Sequence, residues 1–122
     1  RVIDGFMAQT GDIANGDSDD PAYNLAMAGT GGSDLPNVEA EFNSESFQRG
    51  VLGAARSQDP NSFNSQFFIT TADASFLDGQ YTVFGKVVSG MEAVDALEKG
   101  PQEMNGAVAN PDKIVSAAIE YR

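Results

Sequence analysis

Short apolar runs alternate with segments rich in Gly, Asn, Asp and Pro along the chain, and this pattern predicts short β-strands separated by turns. The runs are RVI, FMAQ, GVLGAA, QFFITT, YTVFGKVV and KIVSAAIEY. The last two come close to strict alternation, and in the final run Val115, Ala117, Ile119 and Tyr121 share one face. A mainly β domain follows from the pattern, built as a barrel or a sandwich.

One helix is predicted, over Ser89–Gly100. Its first residue stands three positions before Glu92, which is the capping-box spacing. Gly100, its last residue, can adopt the left-handed conformation of a helix end, and Pro101, which follows, cannot continue the helix. An apolar stripe at helical spacing lies between these ends, and we interpret it as core packing rather than as a ligand site: Met91, Val94, Leu97.

Composition narrows the class of protein. The 122 residues suit a single domain, and no apolar run approaches the length of a membrane span. A net charge of −11 argues against nucleic acids and anionic membranes as partners. The chain has no Cys and no His, so Cys/His zinc sites and His-activated nucleophiles are excluded. An enzyme of this composition is expected to act through binding geometry and hydrogen bonds.

The first residue is Arg1 rather than an initiator Met. A chain that begins in this way is expected to be cleaved, truncated or fragmentary, so the loss of a targeting segment remains an open alternative. The localisation is therefore left unassigned, with a soluble protein of the cytoplasm or the periplasm as the expectation.

Three segments have some features of known binding or catalytic sites, and we interpret each of them as surface. GTGGS, Gly29 to Ser33, has neither the preceding strand nor the lysine of a phosphate-binding loop and is predicted to be a turn. The acidic stretch from Asp12 to Asp20 could coordinate calcium, but it lacks the spacing of an EF-hand and is predicted to be a solvated loop. Glu39 and Glu41 would share one face of a strand, but no aromatic sugar platform accompanies them.

Two other segments carry a more specific signal. If RVIDGFMAQTGD folds into two antiparallel strands around Asp4-Gly5, Arg1 and Gln9 approach each other across the pair. A cation, an amide and the neighbouring apolar side chains would then form one wall of a pocket, although core and surface roles explain the same residues. A later loop exposes Phe76 and Leu77, and large apolar side chains in a loop are expected where a ligand covers them.

RVIDGFMAQTGD, RGVLGAARSQDPNSFNSQFFITT and FLDGQYTVFGKVVSGME occur in this order. Together they resemble the cyclophilin-type peptidyl-prolyl cis/trans isomerases of bacterial style, and the resemblance extends from Arg1 to Tyr121. It implies a cyclophilin-like antiparallel β-barrel, an isomerase domain over residues 1–122, and a function in rotation about X–Pro bonds of protein substrates during folding. The family's first two strands and first helix are expected to be absent from this chain. No cofactor and no metal are implied.

The resemblance also implies a set of site residues. Arg1 matches the catalytic arginine and Gln9 the glutamine that orients it. The expected apolar pocket for the proline ring consists of Phe6, Met7, Phe68 and Leu77. The expected strip for the substrate backbone consists of Ala55, Arg56 and Gln66. Phe76 and Tyr81 are the two expected rim positions.

Several positions depart from the common eukaryotic pattern. Phe76 stands where many eukaryotic members have Trp, Tyr81 where His is frequent, and Arg56 where Asn is common. The implied partners are proline-containing peptides and unfolded protein clients, with cyclosporin-type macrocycles as weak ligands. Two alternatives remain open at this point: a prolyl-peptide binding or chaperone module without turnover, and an acidic β-domain that binds calcium.

Overall fold

The computed structural model describes residues 1–122, and a single antiparallel sheet organises them. The sheet has five strands in the order β1-β2-β4-β3-β5. The prediction of a mainly β domain is confirmed. The sheet is open, however, and the barrel closure implied by the family resemblance is not seen among these residues. The strands are β1 Val2–Ile3, β2 Met7–Thr10, β3 Val51–Ala54, β4 Phe67–Thr70 and β5 Val83–Lys86.

The first two strands form the hairpin that the sequence predicts. Val2 pairs with Ala8 and Ile3 with Met7. Gly5 lies in the connecting turn with a φ of 70°, a conformation in which a residue without Cβ carries no steric penalty. The hairpin therefore holds the start of the chain against the sheet.

The hydrophobic core lies on one face of this sheet. Met7, Phe47, Phe68 and Ala74 are buried together, and the rings of Phe47 and Phe68 stack with centroids 5.5 Å apart. Side chains on alternate strand positions share a face, so the core residues of β2 and β4 point to the same side. Partly buried apolar residues surround this cluster: Ile3, Phe6, Val51, Ala55, Leu77, Tyr81 and Val83.

Gly53 in β3 leaves room for the two stacked rings. It pairs with Phe68 of β4, and a Cβ atom built on Gly53 would overlap the Phe68 ring and lie 2.7 Å from Cε1 of Phe47. A glycine usually weakens a strand, but here the absence of a side chain leaves the space that the two core rings occupy.

A single α-helix, α1, is present but shorter than predicted. It runs over Met91–Asp95 and begins after Gly90, which has a φ of 90°. Ser89 makes no side-chain capping bond, because the left-handed residue after it takes the N-cap position. Two 3-10 turns complete the secondary structure: Ser75–Leu77 and Gln102–Met104.

The strand predicted for the final apolar run is wrong for this structure. No strand is assigned after β5, and Val115 and Tyr121 are 97% and 92% exposed. A strand needs a neighbour with free backbone groups. The outer edge of β1 is already occupied, because Val2 N–H donates to Gly106 O and Val2 O accepts from Gly100 N–H. This edge therefore offers the final segment no partner.

None of the helical segments is both long enough and apolar enough to cross a lipid bilayer.

Candidate active site

A cavity of about 120 Å³ opens beside the core. This volume lies below the range of pockets for drug-sized ligands and suits one small ring. The residues that line it all belong to the site set predicted from the sequence: Arg1, Phe6, Met7, Gln9, Ala55, Arg56, Phe68, Leu77 and Tyr81. Two predicted residues lie outside this lining, Gln66 and Phe76.

Arg1 and Gln9 lie opposite each other, as the hairpin prediction requires. Gln9 N–H donates to Arg1 O over 2.8 Å, which continues the ladder of β1 and β2. The side chains also meet, since Arg1 Nε donates to Gln9 Oε1 over 3.2 Å. Gln9 thereby holds one edge of the guanidinium of Arg1, which lines the cavity, and the Nη atoms donate to no protein acceptor.

Partial burial affects the charge of Arg1. Desolvation lowers the pKa of its guanidinium from the ordinary value, and the phenol of Tyr81 partly opposes that shift. An arginine has the highest pKa of the ionisable side chains, so the group stays protonated at neutral pH. A fixed positive charge therefore lies beside an apolar wall.

Aromatic rings form the floor and one side of the cavity. Phe68, which comes from the central strand β4 and is 5% exposed, meets the ring of Tyr81 edge to face with centroids 5.8 Å apart. The guanidinium of Arg56 lies over the ring of Tyr81, with Cζ 4.6 Å from the ring centroid. These contacts fix Tyr81 between the core and a second cation.

The 3-10 turn Ser75–Leu77 supplies the rim. Leu77 lines the cavity, whereas Phe76 is 66% exposed and packs on the ring of Phe6 with centroids 5.4 Å apart. Asp78 ends the turn and accepts hydrogen bonds from Phe47 N–H and the Ser46 hydroxyl. The exposed apolar residues of the loop thus belong to the cavity entrance, although Phe76 does not reach its interior.

A second, more polar cavity of about 260 Å³ adjoins the first. The two share Gln9, Ala55 and Arg56. Gln66 belongs to the second cavity and accepts a hydrogen bond from Gln9 Nε2 over 3.0 Å. Sequence reasoning missed most of its lining, since small polar residues in a loop resemble ordinary turns: Gly29, Thr30, Gly31, Ser57, Ser62, Asn64 and Ser65.

Asp12 holds the glycine-rich loop in place at this cavity. Its Oδ1 accepts from Ala14 N–H and Asn15 N–H, and its Oδ2 accepts from Gly29 N–H and Gly31 N–H. Gln66 Nε2 donates to the carbonyls of the same two glycines, over 2.9 and 2.8 Å. The GTGGS turn is therefore a wall of the second cavity, a role that its sequence did not indicate.

The acidic residues of the chain do not assemble a metal site. No group of three or more carboxylates is arranged to hold an ion, and Asp12 uses both oxygens to accept main-chain hydrogen bonds. Glu39 and Glu41 are exposed and line neither cavity.

We expect acid to weaken the Asp12 loop. Desolvation acts to raise the pKa of Asp12, but the four backbone N–H donors outweigh it and lower the pKa below its ordinary value. A carboxyl group whose pKa is lowered by folding stabilises the protein at pH values above its pKa in the unfolded state, about 3.9. This contribution is lost as the pH falls through the pKa of the folded state. Asp12→Asn should cost about 1–2 kcal/mol at pH 7 and should flatten the loss of stability below pH ~4.

Urea unfolding at several pH values measures this effect, and Asp34→Asn is the matched control, since Asp34 is exposed. Both variants remove one negative charge. An equal response of the two variants would contradict the anchoring role of Asp12.

The cyclophilin type peptidyl-prolyl cis-trans isomerase family model matches residues 1–119 of this chain. The chain belongs to the cyclophilin family. The names of two similar proteins agree with this cyclophilin assignment. A Brucella abortus (strain 2308) protein named "Probable peptidyl-prolyl cis-trans isomerase" is 61% identical over 120 residues, which are 98% of this chain and 61% of that protein. The "Peptidyl-prolyl cis-trans isomerase CYP21-1" of Arabidopsis thaliana is 39% identical over 108 residues, 87% of this chain and 43% of that protein.

A solved cyclophilin has the same fold. The crystal structure of cyclophilin AquaCyp293 from Hirschia baltica superposes with a TM-score of 0.72 at 25% identity, covering 95% of this chain and 56% of that one. The chain thus spans 61%, 43% and 56% of the lengths of these three proteins, respectively.

Proposed function

We propose that this protein catalyses cis/trans isomerisation of X–Pro bonds in proline-containing peptides and unfolded protein clients. The observation that carries the proposal is the guanidinium of Arg1, held by Gln9 at the edge of a cavity that is otherwise mainly apolar. The apolar side chains suit a proline ring, and Arg1 suits the peptide bond that precedes it.

The chemistry requires no covalent intermediate. Amide resonance opposes rotation about the C–N bond with a barrier of ~18–20 kcal/mol. In the twisted transition state the prolyl nitrogen becomes pyramidal and gains a lone pair. A guanidinium that donates to this lone pair binds the twisted bond more strongly than the planar one, which is the condition for catalysis. Arg1 lines the cavity, and its Nη donors have no protein acceptor and are free for this purpose.

The expected magnitudes agree with such a mechanism. A 10⁵-fold acceleration corresponds to about 7 kcal/mol of barrier reduction. One preorganised donor supplies about 3–4 kcal/mol. We assign the remainder to orientation of the proline ring and to transfer of the amide from water to the apolar surface of Phe68 and Leu77.

An isomerisation assay on Pro-containing peptides, paired with binding titration, tests the proposal. Turnover above the uncatalysed rate is the expected result with the intact protein. Binding without any acceleration would overturn the proposal and would support a prolyl-peptide binding module.

Cyclosporin-type macrocycles should bind weakly, because Phe76 at the rim has no N–H to donate. A Phe76→Trp variant adds an indole donor at this exposed position, and one hydrogen bond is worth about 1–2 kcal/mol. We therefore expect affinity to rise about 5- to 30-fold by titration calorimetry. Phe84→Trp is the control, since Phe84 is an exposed phenylalanine on β5 that lines neither cavity. An unchanged affinity in Phe76→Trp would show that this rim does not contact the macrocycle.

A further inference from the structure

The two cavities form a positively charged surface on an acidic protein. The chain carries 18 acidic residues and a net charge of −11, yet no Asp or Glu lines either cavity. Both charged residues in the linings are arginines, Arg1 and Arg56. Charges of one sign that line a cleft raise the local concentration of ligands of the opposite sign.

Neither of these arginines is neutralised by a carboxylate. The ion pairs of the structure are Arg49–Asp95, at 2.6 Å, and Lys113–Asp19. Arg1 and Arg56 donate only to uncharged oxygens, those of Gln9 and of main-chain carbonyls respectively. Their charges therefore remain available to an anion.

Arg56 is the better placed of the two to select a side chain. It lines both cavities, and its guanidinium is fixed by Nε–H to Gln80 O at 3.0 Å, Nη1–H to Ser57 O at 2.9 Å, and the ring of Tyr81. Its Nη2 donates to no protein acceptor. A guanidinium that is already fixed loses little conformational entropy when an anion binds.

We propose, on the basis of the proposed function, that Arg56 selects prolyl substrates that carry an anionic side chain within two residues of the proline. The cavities share Gln9, Ala55 and Arg56, so a peptide with proline in the first extends past Arg56 into the second. Side chains two positions apart in an extended chain point to the same side. Glu, Asp and phosphoserine share the chemistry that the free donor recognises.

The test measures isomerisation kcat/KM with the intact protein on matched peptides that carry Glu, Gln, Lys or phosphoserine at two residues before or after proline. At low salt we expect Glu to exceed Gln by about 3- to 10-fold at one of these positions, with Lys below Gln. Raising the salt concentration from about 0.01 M to about 1 M should remove the difference, because the screening length falls from ~30 Å to ~3 Å. Phosphoserine at the same position shows whether a doubly charged group is preferred to a carboxylate.

Variants identify the arginine that is responsible. Arg56→Gln should bring the Glu/Gln ratio close to one, Arg56→Lys should keep part of it, and Lys86→Gln should leave it unchanged, since Lys86 is an exposed cation outside both cavities. Equal turnover of the Glu and Gln peptides at low salt would overturn the inference, as would a preference that survives Arg56→Gln. The Gln peptide separates this result from failure of the proposed function, which would show as no turnover of any peptide.

Discussion

Replacing Arg1 with alanine should lower turnover about 10²- to 10³-fold in the intact protein, the effect expected for removing one preorganised transition-state donor. Peptide affinity should fall much less, because the apolar cavity that would hold the proline ring remains. Gln9→Ala should have a smaller effect on turnover, since Gln9 accepts from Arg1 Nε and would act only by orienting the guanidinium. Steady-state kinetics and binding titration on the same peptide give both quantities.

Arg122→Ala is the matched control, because it removes the same charge from an exposed position. It should leave both quantities unchanged. Equal losses of affinity and turnover in Arg1→Ala would contradict the assigned role, since they would show that Arg1 binds ground state and transition state alike.

Replacing Gly53 with alanine should destabilise the protein by about 3 kcal/mol, at the upper end of overpacking effects. The added Cβ overlaps the ring of Phe68 and lies 2.7 Å from Cε1 of Phe47, and both rings are buried. Relief requires the strand or the rings to shift. The expected melting temperature is about 10 °C lower, and turnover should also fall, because Phe68 forms the cavity floor.

The adjacent strand provides a control for this substitution. Gly85 pairs with Leu52 beside Gly53, and a Cβ built on it would lie 3.7 Å from Leu52 Cδ2, an ordinary van der Waals contact. Gly85→Ala should therefore be neutral or slightly stabilising in calorimetry. Comparable losses in the two variants would show that the effect comes from strand glycines in general and not from the core rings.

The strands could be predicted where the apolar run also supplies core contacts. QFFITT became β4, whose burial alternates along the strand, and FMAQ became β2, whose Met7 belongs to the core cluster. KIVSAAIEY has an equally clear alternation but lies exposed, since pairing depends on a neighbouring edge that local sequence does not specify. The helix was overextended for a similar local reason, because a serine-to-glutamate spacing does not reveal the left-handed Gly90 that takes the N-cap position.

The first cavity could be predicted because its residues lie in long motifs with a recognisable order. The hairpin geometry alone also brought Arg1 and Gln9 together. The second cavity could not be predicted, since its walls are glycines and small polar residues whose meaning depends on distant partners. Asp12 and Gly29 are 17 positions apart, and Gln66 reaches the same loop from β4's preceding turn. Such contacts have no local signature.

The hydrogen bonds from Arg1 to Asp12 all run in one direction. Arg1 donates to Gln9, Gln9 to Gln66, Gln66 to the carbonyl of Gly29, and Gly29 N–H to Asp12. The two glutamine amides lie between a guanidinium, which can only donate, and the carbonyls of Gly29 and Gly31, which can only accept, so both amides have a single allowed orientation. Their dipoles are consequently aligned with the oxygen ends toward the guanidinium, and each bond polarises the next. Turning either amide over would oppose donor to donor and acceptor to acceptor, so two main-chain carbonyls of the glycine-rich loop fix the direction of the amide dipoles that reach Arg1.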